Sequence, residues 1–414
     1  MPNIKPFRGI RPCQEYVDQV VLQIEDLSLD KAKEIRSHNP YSYLNMLVPK
    51  VENLFLRGSK QEIAYKRINE NFEDFLEKGI LIKDPKPAIY IYQISNNKIS
   101  QTGVWAITSI DDYLNNTIKK HELTRPEREE GLVDYLQQTG MDANPVLITY
   151  LPVPSIHMLI SVITLKKPEL YFLSDDVVHQ LWKVDDKDQL DEFIKAFDAI
   201  QTSYIADGHH RAAAASILGM QQRRLNVKHT GYEAYNFFNS VYMSTDQLQI
   251  FEFNRLVKDI GGLSTTQFLN QISIHFDVEI LADTQMFRPQ QLHEFGLYLP
   301  DKNWYRLLAK PESYARGSLM ESLDVNILQE RILSSILHIV DPRTDPRLSF
   351  VGGIVPLEVS MQRVDQGDYA AFFTLFPIST QQLIQVADAG EVMPPKSTWF
   401  EPKFQAGLVI YQID

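Results

Sequence analysis

Asp207-Gly208-His209-His210-Arg211 runs straight into four alanines, Ala212 to Ala215. Residues 200–205 read as a short buried strand, and 211–220 as a helix, because alanine is the strongest helix former. Gly208 permits the tight turn between them, and Asp207 suits a turn or N-cap position. Two imidazoles and a guanidinium then fall in the first helical turn. The N–H groups and the positive dipole end there make a natural anion site, with phosphate the usual occupant. Arg211 could clamp a phosphate bidentately. His209 and His210 could donate to phosphoryl oxygens or protonate a leaving group. Asp207 could hold Mg²⁺, which takes few carboxylates plus phosphate oxygens. A plain helix start with surface histidines is the competing reading. The crowding of His, His and Arg in one turn favours the anion site.

Two further clusters carry suitable chemistry. In His121-Glu122-Leu123-Thr124-Arg125, Glu122 is a candidate general base, since a carboxylate beside an anion site can take a hydroxyl proton. Its structural alternative is a solvated helix end. In Pro394-Pro395-Lys396-Ser397-Thr398, two prolines stiffen a loop that presents an ammonium and two hydroxyls. It reads equally as a second anion contact or as an exposed loop. Asn39-Pro40-Tyr41 and the basic segment from Lys5 to Arg11 read as structural. Standard phosphate and hydrolase machinery is missing: the chain has no G-x-x-x-x-G-K-[ST], G-x-G-x-x-G or G-x-S-x-G pattern.

The 414 residues suffice for two or three modules. A net charge of -12 argues against general nucleic-acid binding. One cysteine, Cys13, excludes an internal disulfide and a cysteine-rich zinc site. The most apolar window, 146–165, is broken by Pro152 and Pro154. It is expected to form two buried strands with a proline-bearing connection rather than a membrane span. The N-terminus lacks the apolar core of a signal peptide. A cytoplasmic protein is expected, without membrane or nucleic-acid partners; oligomeric state is left open.

The elements that must hold these clusters follow from periodicity. Ser59 and Glu62 make a capping box for a helix over 59–78, closed by Gly79. Strands over 87–94 and 102–108 flank Asn96-Asn97. Helices are expected over 110–120 and, with Pro126 in the first turn, over 127–139, ended by Gly140. Next come a strand over 146–150, an acidic helix over 187–196, and a strand over 237–243. A return strand over 248–254 is expected to pair with it around Ser244-Thr245-Asp246. Later elements are a helix over 323–339, a strand over 370–377, a helix over 379–389 and a strand over 408–411. The stretch 51–57 has no clear pattern. No repeat is visible, and the chain is read as α+β, mixed sheets with packed helices.

The order of motifs resembles the family of domain of unknown function 1015. The matching pieces include Lys5-Pro-Phe-Arg-Gly-Ile-Arg11, Asn39-Pro-Tyr-Ser-Tyr43, Pro87-Ala-Ile-Tyr-Ile-Tyr92, Ile118-Lys-Lys-His-Glu-Leu-Thr124, Ala206-Asp-Gly-His-His-Arg211 and Met393-Pro-Pro-Lys-Ser-Thr-Trp-Phe400. One departure is the stretch 21–28, where members often carry Pro-Tyr-Asp-Val. His-Glu followed by Asp-Gly-His-His-Arg is also similar to two boxes of the free serine kinases of the ParB/sulfiredoxin-like fold. That similarity implies a central module over 116–245, with elaborations over 1–115 and 246–414. It implies phosphoryl transfer on free serine or phosphoserine, by a nucleotide-dependent kinase using ADP or ATP or by a phosphatase. Glu122, His209 and Asp207 would act catalytically. His121, Thr124, Gly208, His210, Arg211, Lys396, Ser397 and Thr398 would hold phosphate or substrate, and Asp207 an optional Mg²⁺. The alternative is a non-enzymatic nucleotide-binding regulator of ParB-like type. Sulfiredoxin chemistry needs a cysteine that this box lacks.

Overall fold

Alternating Ile and Tyr residues build the centre of the first of two units. In the computed structural model, residues 1–24, 27–47, 59–174, 176–281, 286–314 and 318–413 are described. The stretch 51–57 and part of the departure at 21–28 lie outside them. The chain divides into a first unit, residues 1–120, 124–248 and 402–414, and a second, residues 121–123 and 249–401.

The first unit is organised by a nine-stranded mixed sheet. Its strands are β1 (Ile4–Lys5), β2 (Ile89–Ser95), β3 (Ser100–Ser109), β4 (Ile118–Lys119), β5 (Val146–Tyr150), β6 (Leu170–Ser174), β7 (Val177–Val184), β8 (Ser203–Asp207) and β9 (Phe237–Ser244). Their order is β4-β8-β5-β9-β3-β2-β7-β6, with β1 paired on β3. Only β4–β8 and β5–β9 are parallel. Helices α1 (Lys60–Glu77), α2 (Pro126–Thr139), α3 (Pro154–Thr164), α4 (Lys187–Phe197) and α5 (His209–Leu225) belong to this unit. Ser59 closes the expected capping box with Glu62, and Gly140 ends α2 in the left-handed region at φ 64°. One core gathers Ile91, Val104, Ile148, Trp182, Phe197, Ala212 and Phe238. Another joins Ile10, Tyr43, Phe72 and Met141 to Ala406 and Ile410 of the returning C-terminal segment.

The second unit has an antiparallel six-stranded sheet of β10 (Phe253–Val257), β11 (Phe276–Leu281), β12 (Glu294–Tyr298), β13 (Trp304–Ala309), β14 (Leu348–Gly352) and β15 (Ala371–Leu375), ordered β11-β13-β12-β15-β10-β14. Helices α6 (Thr265–Ile272), α7 (Leu357–Asp365) and α8 (Thr380–Asp388) accompany it. Leu256, Trp304, Leu357, Val364 and Phe372 form a core of its own. Both units mix helices with largely antiparallel sheets, so the α+β reading holds.

Several local expectations are corrected. The second half of 146–165 is helix α3, not a strand: Pro154 occupies its first turn, where proline's missing N–H costs nothing. The helix expected over 110–120 stops at Leu114, and Ile118–Lys119 pairs beside β8. Residues 248–254 do not return onto β9. Gln249–Phe251 pairs with Trp399–Glu401 instead, and β10 enters the second sheet. Long-range pairing decided this, which the short turn signal at 244–246 could not reveal. The helix expected over 323–339 is a short α-helix, Asp324–Leu328, that runs into a π-helical stretch, Gln329–Ser334, and ends there.

Candidate functional site

Strand β8 pairs with both β4 and β5, and its register shifts between Ile205 and Asp207. The strand therefore ends with Asp207, and Gly208 rather than Asp207 is the N-cap of α5. Gly208 has φ 95° and ψ 28°, a conformation open chiefly to glycine. A Cβ there would also come within 2.9 Å of Arg211 Nε, because the guanidinium folds back over the glycine. Gly208 supplies no side chain to cap the helix.

Arg211 is braced by the protein. Nη2 donates to Asp207 at 2.8 Å, and Nη1 to Asn144 Oδ1 at 2.6 Å and the Pro145 carbonyl at 2.5 Å. The expected bidentate grip on phosphate thus competes with Asp207 for Nη2. Lys403 Nζ stands 3.7 Å from the same Asp207 oxygen, with its side chain only 10% exposed. Motif spacing missed Lys403, which lies almost two hundred residues on. His209 is buried and His210 half-buried. His210 Nε2 accepts the backbone N–H of Arg125 at 3.1 Å, leaving Nδ1 as the donor of the neutral ring. Burial first, then Arg128 and Arg125, hold the His210 pKa below its usual value, opposed by Glu129 and helped least by Arg211. At neutral pH His210 donates hydrogen bonds rather than protons.

Beneath Arg211 lies a buried polar network. Asp142 accepts the backbone N–H of Asn239 at 2.9 Å, and the Asn239 amide donates to the carbonyls of Asp142 and Val409. Trp105 Nε1 donates to Asn239 Oδ1 at 2.6 Å. Burial pushes the Asp142 carboxyl up to about 7, opposed by the Asn239 amide and the charge of Arg211. A groove of about 360 Å³ runs along α5 between Tyr113, Ile217 and Arg224.

Asp207 does not suit Mg²⁺. One of its oxygens already meets two cations, Arg211 and Lys403. Among the described residues, no group of three His, Cys, Asp or Glu could hold a metal ion.

Of the other two sequence clusters, His121 and Glu122 lie in the second unit beside the start of the 394–398 loop, whereas Thr124 and Arg125 belong to the first. Glu122 forms a parallel β-bridge with Met393, and the Met393 N–H donates to the His121 carbonyl at 2.8 Å. His121 is buried, with its ring 6.2 Å from that of Phe400. Lys396 is exposed in the left-handed region at φ 57°. Ser397 Oγ donates to the Pro394 carbonyl at 2.6 Å, so this hydroxyl holds the turn. Thr398 is half-buried beside it, and Thr124 is half-buried in the first unit.

An α+β architecture with a cationic helix start at a strand end defines the class. The chain belongs to the family described as "Protein of unknown function (DUF1015)", which matches residues 4–326. No curated protein matches it. Among solved structures it is similar to a free serine kinase in complex with AMP, at 12% identity and TM-score 0.36, over 76% of this chain and 95% of the other. It is similar to a conserved hypothetical protein from Pyrococcus furiosus, at 13% and 0.36 over 73% and 95%. SbnI with a C-terminal truncation, from Staphylococcus aureus, aligns at 11% and 0.35 over 73% and 87%. Among the described residues, no helix is long and apolar enough to cross a membrane.

Proposed function

We propose that this protein transfers a phosphoryl group to or from a small hydroxyl amino acid, serine or phosphoserine, within a module of ParB/sulfiredoxin-like type. The observation that carries the reading is the start of α5: a helix N-terminus without a side-chain cap, ringed by His210, Arg211, Lys403 and the neighbouring Arg125 and Arg128. Phosphoryl transfer depends on positioning and on stabilising charge spread over the phosphoryl oxygens. Backbone N–H groups and fixed cations supply both. His210 Nδ1–H is a further donor. Arg211, braced by Asn144, Pro145 and Asp207, is a preformed charge rather than a floppy one. Where the donor or acceptor is a nucleotide, ADP or ATP, the groove along α5 offers space of ligand size for the nucleoside.

Glu122 is the base in this reading, taking the proton of the serine hydroxyl or of water. The cations, not a metal held by Asp207, meet the phosphate charge.

The test is turnover of phosphoserine, and of serine with ADP or ATP, by wild type, Glu122→Gln and Lys403→Gln. Glu122→Gln is expected to keep nucleotide and phosphate affinity but to lose about a hundredfold or more in rate. Lys403→Gln is expected to weaken phosphate binding. Nucleotide binding without turnover in any combination would leave the regulator reading standing instead.

A further inference from the structure

The second unit contains a buried positive charge without a counter-charge among the described residues. Arg255, in the middle of β10, is 4% exposed. Nη1 donates to the Phe253 carbonyl at 2.6 Å and Nη2 to the Lys396 carbonyl at 3.0 Å, while the guanidinium lies 4.5 Å over the Phe350 ring. All of these partners are neutral. Arg11 makes the contrast: equally buried in the first unit, it meets Asp84 through two nitrogens and Glu169 besides. Burial lowers the Arg255 pKa to about 9, with no acid near enough to raise it again. The guanidinium stays charged at neutral pH, and an uncompensated buried charge is unfavourable.

The donor count agrees. A guanidinium has five N–H groups, and among the described residues Arg255 makes two hydrogen bonds. The rest could serve one carboxylate or phosphate. A second cation lies over the same strand. Lys396 Nζ rests 5.0 Å from the Phe253 ring centre, and no carboxylate pairs with it among the described residues. The left-handed backbone of Lys396 is associated with a carbonyl that reaches Arg255. The chain has 53 acidic residues against 41 basic ones, so a shortage of acids does not explain two unpaired cations at one turn.

We infer that Arg255 and Lys396 form an oxyanion site in the second unit, taking the carboxylate or phosphate group of a small ligand. The anion lies against the guanidinium edge that the two carbonyls leave open. Lys396 turns from the Phe253 ring to meet it, and Ser397 keeps the turn closed through Pro394. The site is independent of the anion site at α5 and has its own variants.

The test is calorimetric titration of the full chain with inorganic phosphate and, separately, with acetate. Variants are Lys396→Gln, Arg255→Met, which keeps similar bulk without charge, and Lys403→Gln. For one probe, Lys396→Gln and Arg255→Met are expected to weaken binding about tenfold or more, while Lys403→Gln leaves that binding intact. The probe affected distinguishes a phosphate from a carboxylate ligand. Affinities for both probes within about twofold of wild type in Lys396→Gln and Arg255→Met would overturn the inference. If Arg255→Met does not fold, unchanged affinity in Lys396→Gln alone overturns it. Loss of phosphate affinity in Lys403→Gln only would leave the α5 site standing and remove this one.

Discussion

Gly208 and Arg211 depend on each other. The glycine's φ of 95° brings the chain sharply off β8, and its missing side chain leaves room for the guanidinium that ties Asp207 to Asn144 and Pro145. Gly208→Ala is therefore expected to lose about 1–2 kcal/mol from backbone conformation alone. It should also displace Arg211, so that phosphate affinity falls in the same variant; urea denaturation and phosphate titration measure the two effects. Asp142 gives a pH signature. Its carboxyl is raised to about 7 in the folded protein, against about 4 in an unfolded chain. Between those values the folded state holds a proton that the unfolded state has released. Stability conferred by this group therefore falls as pH rises from about 4 to about 7, by at most about 1.4 kcal/mol per pH unit, and levels off above. Asp142→Asn keeps an acceptor for the Asn239 backbone N–H and should flatten that slope in denaturation curves taken across the window.

Helices and strands were legible where local chemistry decided them. The capping box at Ser59, Pro126 and Gly140 around α2, and the alanines of α5 all act through neighbours in sequence, and the elements sit within a few residues of expectation. The strand before the motif begins at Ser203 rather than residue 200: Ile200 is buried like a strand residue, but it packs in the core without joining the sheet. Elements fixed by distant partners were not legible. Nothing in 249–251 announces pairing with 399–401, and nothing in 121–122 announces a bridge to Met393. The same holds for the site. His209, His210 and Arg211 are adjacent in sequence and could be found from it. Lys403 and Arg255 carry no motif of their own, and only tertiary structure gives them meaning. Asp207 shows the limit of residue type: a carboxylate reads as a cap or a metal ligand until its two cationic neighbours are seen.

At the scale of the molecule, the two units have separate apolar cores, one set around Ile10, Ile91 and Phe238 and one around Leu256 and Trp304. Ile410→Ala removes a fully buried side chain from the first unit. It is expected to cost about 2–5 kcal/mol there. Hydrogen exchange should accelerate in strands of the first unit, while the amides of β10, β12 and β15 keep their protection. Uniform acceleration in both sheets would mean that the cores unfold as one.

The return of residues 402–414 to the first unit also sets an order of events during synthesis. The large sheet leaves the ribosome early, yet Ala406 and Ile410, which fill the other core of the same unit, emerge only after the whole second unit. Until then Ile10, Tyr43 and Phe72 lack part of their apolar cover. The nascent chain carries an unfinished surface of the kind that chaperones engage and that aggregates when crowded. Lys403 arrives with the same late segment, so the cation beside Asp207 is in place only once the protein has closed.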